Sequence, residues 1–170
     1  MTDIAKALVD ISWNMPEIAT RAGQPDKDLI SYHNGYLEVP GVTQEALEAA
    51  VASFDNTADE RKRLAGLIAA RRYTAETAGI TVFGVPVYTD RTTQNKLTGA
   101  ALRASRDASY TVDWKCSNNT FVSLTAEQIV SVADAVGDHV QACYSREADL
   151  LKAVADGSYT ESMMEEGWPV

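Results

Sequence analysis

The sequence predicts an α+β fold in which helices pack on short antiparallel β-hairpins, with a long C-terminal helix and a small N-terminal appendage. Three observations carry that expectation. The runs "LISYHNGYLEV" and "YTVDWKCSNNTFVSL" are rich in β-prone residues and each is interrupted by Asn-containing turn chemistry. Thr57 with Glu60, and Thr125 with Gln128, have the spacing of a capping box and open stretches of helical periodicity. A chain of 170 residues, 45% apolar and 23% charged, is long enough to bury one core with a small appendage.

In chain order, residues 1–12 suit a short helix with Ile4, Leu8 and Ile11 on one face. Pro16 and "AGQPDKD" then break the chain. Asn34-Gly35 predicts a type I′ hairpin, because both central residues of that turn need positive φ. Pro40-Gly41 closes this unit. Thr43 is the expected N-cap of a helix to about Phe54. The capping box at Thr57 predicts a second helix to about Ala78, burying Leu64, Leu67, Ile68 and Tyr73 and stopping at Gly79.

"ITVFGVPVYT" reads as a tight hairpin turning at either Phe83-Gly84 or Gly84-Val85. Pro86 lacks an N–H and assigns this ribbon to a sheet edge. Thr89 or Asp90 then caps a helix to about Arg106. A second hairpin is expected to turn at Asn118-Asn119, placing Val112, Trp114, Cys116 and Phe121 on one face. Thr125 caps the longest helix, to about Ala155, which Gly157 ends.

Charge divides the chain. Residues 1–56 carry three bases and nine acids, residues 57–156 twelve of each, and the tail three acids, for a net charge of −9. The expected organisation is a small acidic N-terminal unit over 1–56, an α+β domain over 57–156, and a tail over 157–170. An acidic chain without a basic stripe is a poor binder of nucleic acid or anionic membrane. The acids of its front end either keep the chain soluble or meet a basic surface on a partner. No apolar run approaches the roughly 18 residues of a membrane span, and Asp3 and Asp10 do not fit a secretory signal.

Chemical signatures are sparse. The sequence has no GxGxxG, P-loop, HExxH or EF-hand pattern. His33 and His139 stand without a catalytic signature, and Cys116 and Cys143 read as reduced, buried thiols of a chain made in a reducing cytoplasm. The expectation is therefore no catalytic residue, no metal and no cofactor. The polar run Thr89-Asp90-Arg91-Thr92-Thr93-Gln94 has a structural explanation: a helix start leaves N–H groups unpartnered, and Asp90 can cap them, as Thr125 does later.

One periodicity points outward. Ile129, Val136, Cys143 and Leu150 recur every seven residues, accompanied by Ala133, Val140, Glu147 and Val154. This seam packs either on the protein's own sheet and preceding helix, or on further copies in a two- or three-fold bundle. Ile129, Val136, Val140, Cys143, Leu150 and Trp168 are the candidate interface residues. Trp168 either folds back on its own domain or docks on a neighbour.

The run "RRYTAETAGITVFGVPVYTDRTTQNKLTGAAL" followed by "YTVDWKCSNNTFVSLTAEQIVSVADAVGDHVQACYSREADLL" resembles a domain of unknown function found in tailed bacteriophages. That family occurs in small tail proteins and at the C-termini of tail-fibre proteins. The resemblance covers residues 66–155, and Phe83 stands where a polar turn residue is expected. The first third, with Trp13 and "PGVTQEALEAAV", is similar to the front of small tail proteins. The resemblance implies a structural virion component: a small tail, baseplate or fibre-adaptor subunit, made in the host cytoplasm. Its expected partners are other tail or tail-fibre proteins and further copies of itself, a trimer being favoured. The alternative is a tail-fibre assembly chaperone absent from the finished particle. The resemblance implies no reaction, no cofactor and no catalytic residue.

Overall fold

The computed structural model describes residues 4–169, and its architecture is mixed α and β. The chain divides into two compact units, Met1–Arg63 and Leu64–Val170. The division falls inside a continuous helix, α3 (Thr57–Glu76), whereas charge alone places it near residue 56.

In the first unit, β1 (Ile4–Leu8), β2 (Ser31–His33) and β3 (Tyr36–Pro40) form an antiparallel sheet in the order β1-β3-β2. Ile4 pairs with Pro40 and Leu8 with Tyr36. The Asn34-Gly35 turn has φ of 53° and 86°, as the type I′ hairpin requires. Helices α1 (Met15–Arg21) and α2 (Gln44–Ala52) cover one sheet face. The core is Ile18, Leu37, Val39 and Leu47, with Ala5 and Ala7 from β1 and Val9 just after it.

The helix expected over residues 1–12 is corrected: residues 4–8 are a strand, and residues 1–3 lie outside the described residues. Ala5, Ala7 and Val9 alternate inward, while Ile4, Leu8 and Ile11 are exposed. The large side chains suggested a period near 3.6, but the small ones carry the period of two that faces the core. Thr43 does cap α2, its Oγ1 accepting the Ala46 N–H at 3.2 Å. Thr57 does not cap α3. It is the first helical residue, and its own N–H donates to the Asp55 carboxylate at 2.9 Å.

In the second unit, β4 (Ile80–Val82) and β5 (Val85–Val87) form one two-stranded ribbon, and β6 (Thr111–Lys115) and β7 (Phe121–Thr125) another. Helices α4 (Arg91–Ala104) and α5 (Ala126–Asp156) complete it. Its larger core joins Val87, Leu97, Trp114, Leu124, Ile129, Val132 and Val136. The first turn is Phe83-Gly84, with φ of 52° and 76°. α3 ends at Glu76, and Gly79, expected as its stop, stands between the helix and β4 at φ 84°, where a Cβ would be 2.9 Å from the Val87 carbonyl oxygen. Of the predicted buried face of α3, Ile68 is buried but Leu67 and Tyr73 are exposed.

The second hairpin corrects the expected register. Its loop has three residues, Ser117–Asn119: Cys116 N–H donates to Thr120 C=O at 2.8 Å, Asn119 N–H to Cys116 C=O at 3.0 Å, and Asn119 has φ 66°. Lys115 therefore faces Phe121. One added loop residue moves Phe121 to the opposite face, away from Val112, Trp114 and Cys116. The side chain expected inside is 68% exposed.

α5 opens with the reciprocal Thr125–Gln128 capping box and ends at Gly157, φ 80°. The tail folds back on its own unit. Arg146 donates to the carbonyls of Met163 (2.8 Å) and Glu166 (3.0 Å), and Trp168 Nε1 donates to Met164 C=O at 2.7 Å. Trp168 packs with the Ile68, Leu150 and Val154 cluster, under the Arg71 guanidinium 5.3 Å from its ring centre. No helix among the described residues is long and apolar enough to cross a membrane.

Candidate functional site

The residues flanking the first ribbon of the second unit converge on one corner. The ribbon ends in Thr89, which is fully buried. Its hydroxyl donates to Glu76 C=O and accepts from Gly79 N–H at 3.0 Å. The last turn of α3 leaves carbonyls such as that of Glu76 without helical partners, and Thr89 satisfies this one while also accepting the N–H of Gly79 in the segment that follows. Gln94 Nε2 donates to Thr89 C=O at 2.7 Å and reaches Glu76 Oε1 at 3.4 Å. Asp90 caps α4: Oδ1 accepts from Thr92 N–H (2.8 Å) and Thr93 N–H (3.1 Å), and Oδ2 from Thr93 Oγ1 (2.9 Å). The polar run is a clasp joining the end of α3, the exit of β5 and the start of α4.

Burial works to raise the Asp90 carboxyl, but the hydrogen bonds from Thr93 and Thr92 outweigh it and hold its pKa below the ordinary value. Its folded pKa is thus depressed. The stabilisation it confers is full above the unfolded carboxylate pKa and fades as pH falls through the folded one. Asp90→Ala is expected to cost about 1 kcal/mol in equilibrium denaturation. Asp90→Asn should shallow the acid limb of the stability–pH curve; an unchanged limb would exclude Asp90 from it.

Behind the clasp, Arg72 binds Glu76 and, at 3.2 Å, Glu147, with its guanidinium 4.6 Å from the Tyr144 ring centre. Arg72 and both carboxylates are at most 16% exposed. Burial opposes the Arg72 charge, but Tyr144, Glu76 and Glu147 overcome it and raise its pKa. This explains Glu147, the polar interruption of the α5 seam: it is drawn inward as the partner of Arg72. Nearby, His139 Nε2 donates to Ala75 C=O at 3.1 Å, and Cys143 Sγ lies 3.9 Å from the same nitrogen. Burial, aided by the Glu76 carboxylate, pushes the Cys143 thiol up, so it is held as the unreactive thiol.

Four of the six candidate interface residues occupy the interior, and Val140 and Trp168 are half-buried. Ile129, Val136, Cys143 and Leu150 are buried within the chain's own packing, and Trp168 is folded against Leu150. Val140 is half-buried and lines a cavity of about 140 Å³ with Leu97, Ala133 and Val136. The heptad seam is spent on α4, the hairpins, α3 and the tail. These side chains leave little surface for a second copy. Cys116 is also buried and free of a disulfide, its thiol donating to Trp114 C=O at 4.0 Å.

An open cleft of about 780 Å³ lies beyond the clasp. One wall is the α4 face of Thr92, Lys96, Gly99 and Arg103, at helical spacing. The other is β6 from Val112 to Lys115. Tyr88 contributes to the rim, its hydroxyl donating to Ser117 C=O at 2.9 Å. Arg103 sits 4.9 Å from the Tyr110 ring centre.

The His139–Cys143 and Arg72–Glu76 contacts have a sequence signal only in their i, i+4 spacing, which many surface pairs share. The cleft had no sequence signal, because its two walls come from elements whose separation only the packing sets.

The pattern of one family, described as Domain of unknown function (DUF4376), matches residues 57–165. No curated protein matches the chain, and no solved structure does.

Proposed function

The chain belongs to the DUF4376 family, and from that premise we propose that it is a structural component of a tailed-phage virion. In this reading it is a small tail, baseplate or tail-fibre adaptor subunit that acts through protein–protein contacts and performs no reaction. It is made in the host cytoplasm and resides in the tail. The observation that carries the reading is the ordered pattern of residues 66–155, which resembles domains of phage tail and tail-fibre proteins.

Exposed aromatic side chains support the contact role. Phe83 is 73% exposed at a turn position where a bulky residue at positive φ is costly, and Phe121 projects from β7. Self-association, a trimer being favoured, would use surfaces of this kind, since the α5 seam is internal.

Mass spectrometry of purified particles, scaled against the tail-tube protein, tests the proposal. A fixed copy number in multiples of three or six is the expected result. A chain abundant in infected-cell lysate but absent from particles would be an assembly factor, and the subunit reading would fall.

A further inference from the structure

We propose that the cleft between α4 and β6 receives an extended, acidic polypeptide segment, which adds as a strand to the open edge of β6. Three observations lead there.

The first is the edge itself. Cys116 and Thr120 form a hydrogen-bonded pair. Antiparallel pairs alternate, so Trp114–Val122 and Val112–Leu124 exchange the next ladder bonds. The N–H and C=O groups of Thr111, Asp113 and Lys115 therefore point away from β7. The β6–β7 ribbon has two strands only; β5 touches its outward side at the loop end, where Ser117 N–H donates to Pro86 C=O at 3.0 Å, and among the described residues no strand pairs with Thr111–Lys115 on that side. Among the described residues, no backbone or side-chain group bonds these outward amides of Asp113 and Lys115. Their repeat, about 6.8 Å along the strand, is that of an extended peptide.

The second is room. α4 stands back from β6, and Gly99 faces the gap with nothing within 4 Å of where its Cβ would be. A cleft of about 780 Å³ accommodates several residues of extended chain.

The third is charge. Lys96, Arg103 and Lys115 line the cleft, and none of them has an ion pair among the described residues. Two carboxylates, Asp90 and Asp113, face these three cations, so positive charge is in excess in the cleft. On a chain of net charge −9 this is a local cationic site, and it selects carboxylate-bearing segments. A polynucleotide would satisfy the cations but not the alternating amides and carbonyls of the edge. The cleft would hold such a segment whether or not the chain is part of a particle.

The test uses the full chain and a blocked, fluorescein-labelled octapeptide of alternating valine and glutamate. The expected result is saturable binding by anisotropy, with amide exchange at Asp113 and Lys115 slowed at least tenfold. Replacing glutamate by lysine, or N-methylating alternate peptide amides, should each weaken binding tenfold or more. At Gly99 an added Cβ meets nothing within 4 Å, and Gly99→Phe, which directs a ring into the cleft, should stay folded by circular dichroism and lose the peptide. Absence of binding would leave β6 as a free edge guarded by its own charges and overturn the proposal. Undiminished binding of the N-methylated peptide, or by Gly99→Phe, would overturn it too. So would an eight-nucleotide oligothymidylate that binds more tightly and displaces the peptide.

Discussion

Val136→Asp is expected to unfold the Leu64–Val170 unit rather than dissociate an oligomer. Val136 is 2% exposed, in the core it shares with Leu97, Trp114 and Ile129. A carboxylate there has no partner, and an uncompensated buried charge costs about 3–5 kcal/mol. That is a large part of the 5–15 kcal/mol that stabilises a typical domain. Circular dichroism and size-exclusion chromatography together check it. The expected variant melts tens of degrees lower or is unfolded at 25 °C. A variant that stays folded but runs as a smaller species would return the α5 seam to an interface between copies.

Arg72→Leu carries the second largest effect. It strips the shared cation from Glu76 and Glu147, two carboxylates 12% and 16% exposed. They are left repelling one another in poorly hydrated surroundings. Removing one partner of a buried pair costs about 3–5 kcal/mol, and residual exposure puts this site near the lower figure, about 3 kcal/mol. Arg72→Leu with Glu147→Leu should recover part of the loss, because one orphaned charge is removed with its partner. Urea denaturation measures both. A cost below about 1 kcal/mol for the single variant would mean that the cluster behaves as an exposed ion pair and does not hold α3 to α5.

The two hairpins show why legibility was uneven. Asn34-Gly35 was readable because the turn type demands positive φ at both positions, and few sequences supply that so cheaply. The Ser117–Asn119 loop is one residue longer than the sequence predicts, since both Asn118 and Asn119 tolerate the left-handed region. Nothing local separates a two-residue from a three-residue loop there, yet the choice decides which face Phe121 occupies. β1 was hidden for a related reason. The inward residues of this stretch are Ala5, Ala7 and Val9, too small to outweigh Ile4, Leu8 and Ile11 in a reading of apolar periodicity.

The caps at Thr43, Asp90 and Thr125, the stop at Gly157, and the Asn34-Gly35 turn were determined by the sequence itself. Each rests on interactions within a few residues, where chemistry and spacing suffice. So did the class of fold, since it follows from the order of such elements. Tertiary structure alone decided the fate of the α5 seam, the inward turn of Glu147, the docking of Trp168 and the cleft beside α4. Each depends on which groups from distant segments meet. An apolar stripe has the same period whether a helix of its own chain or of another covers it.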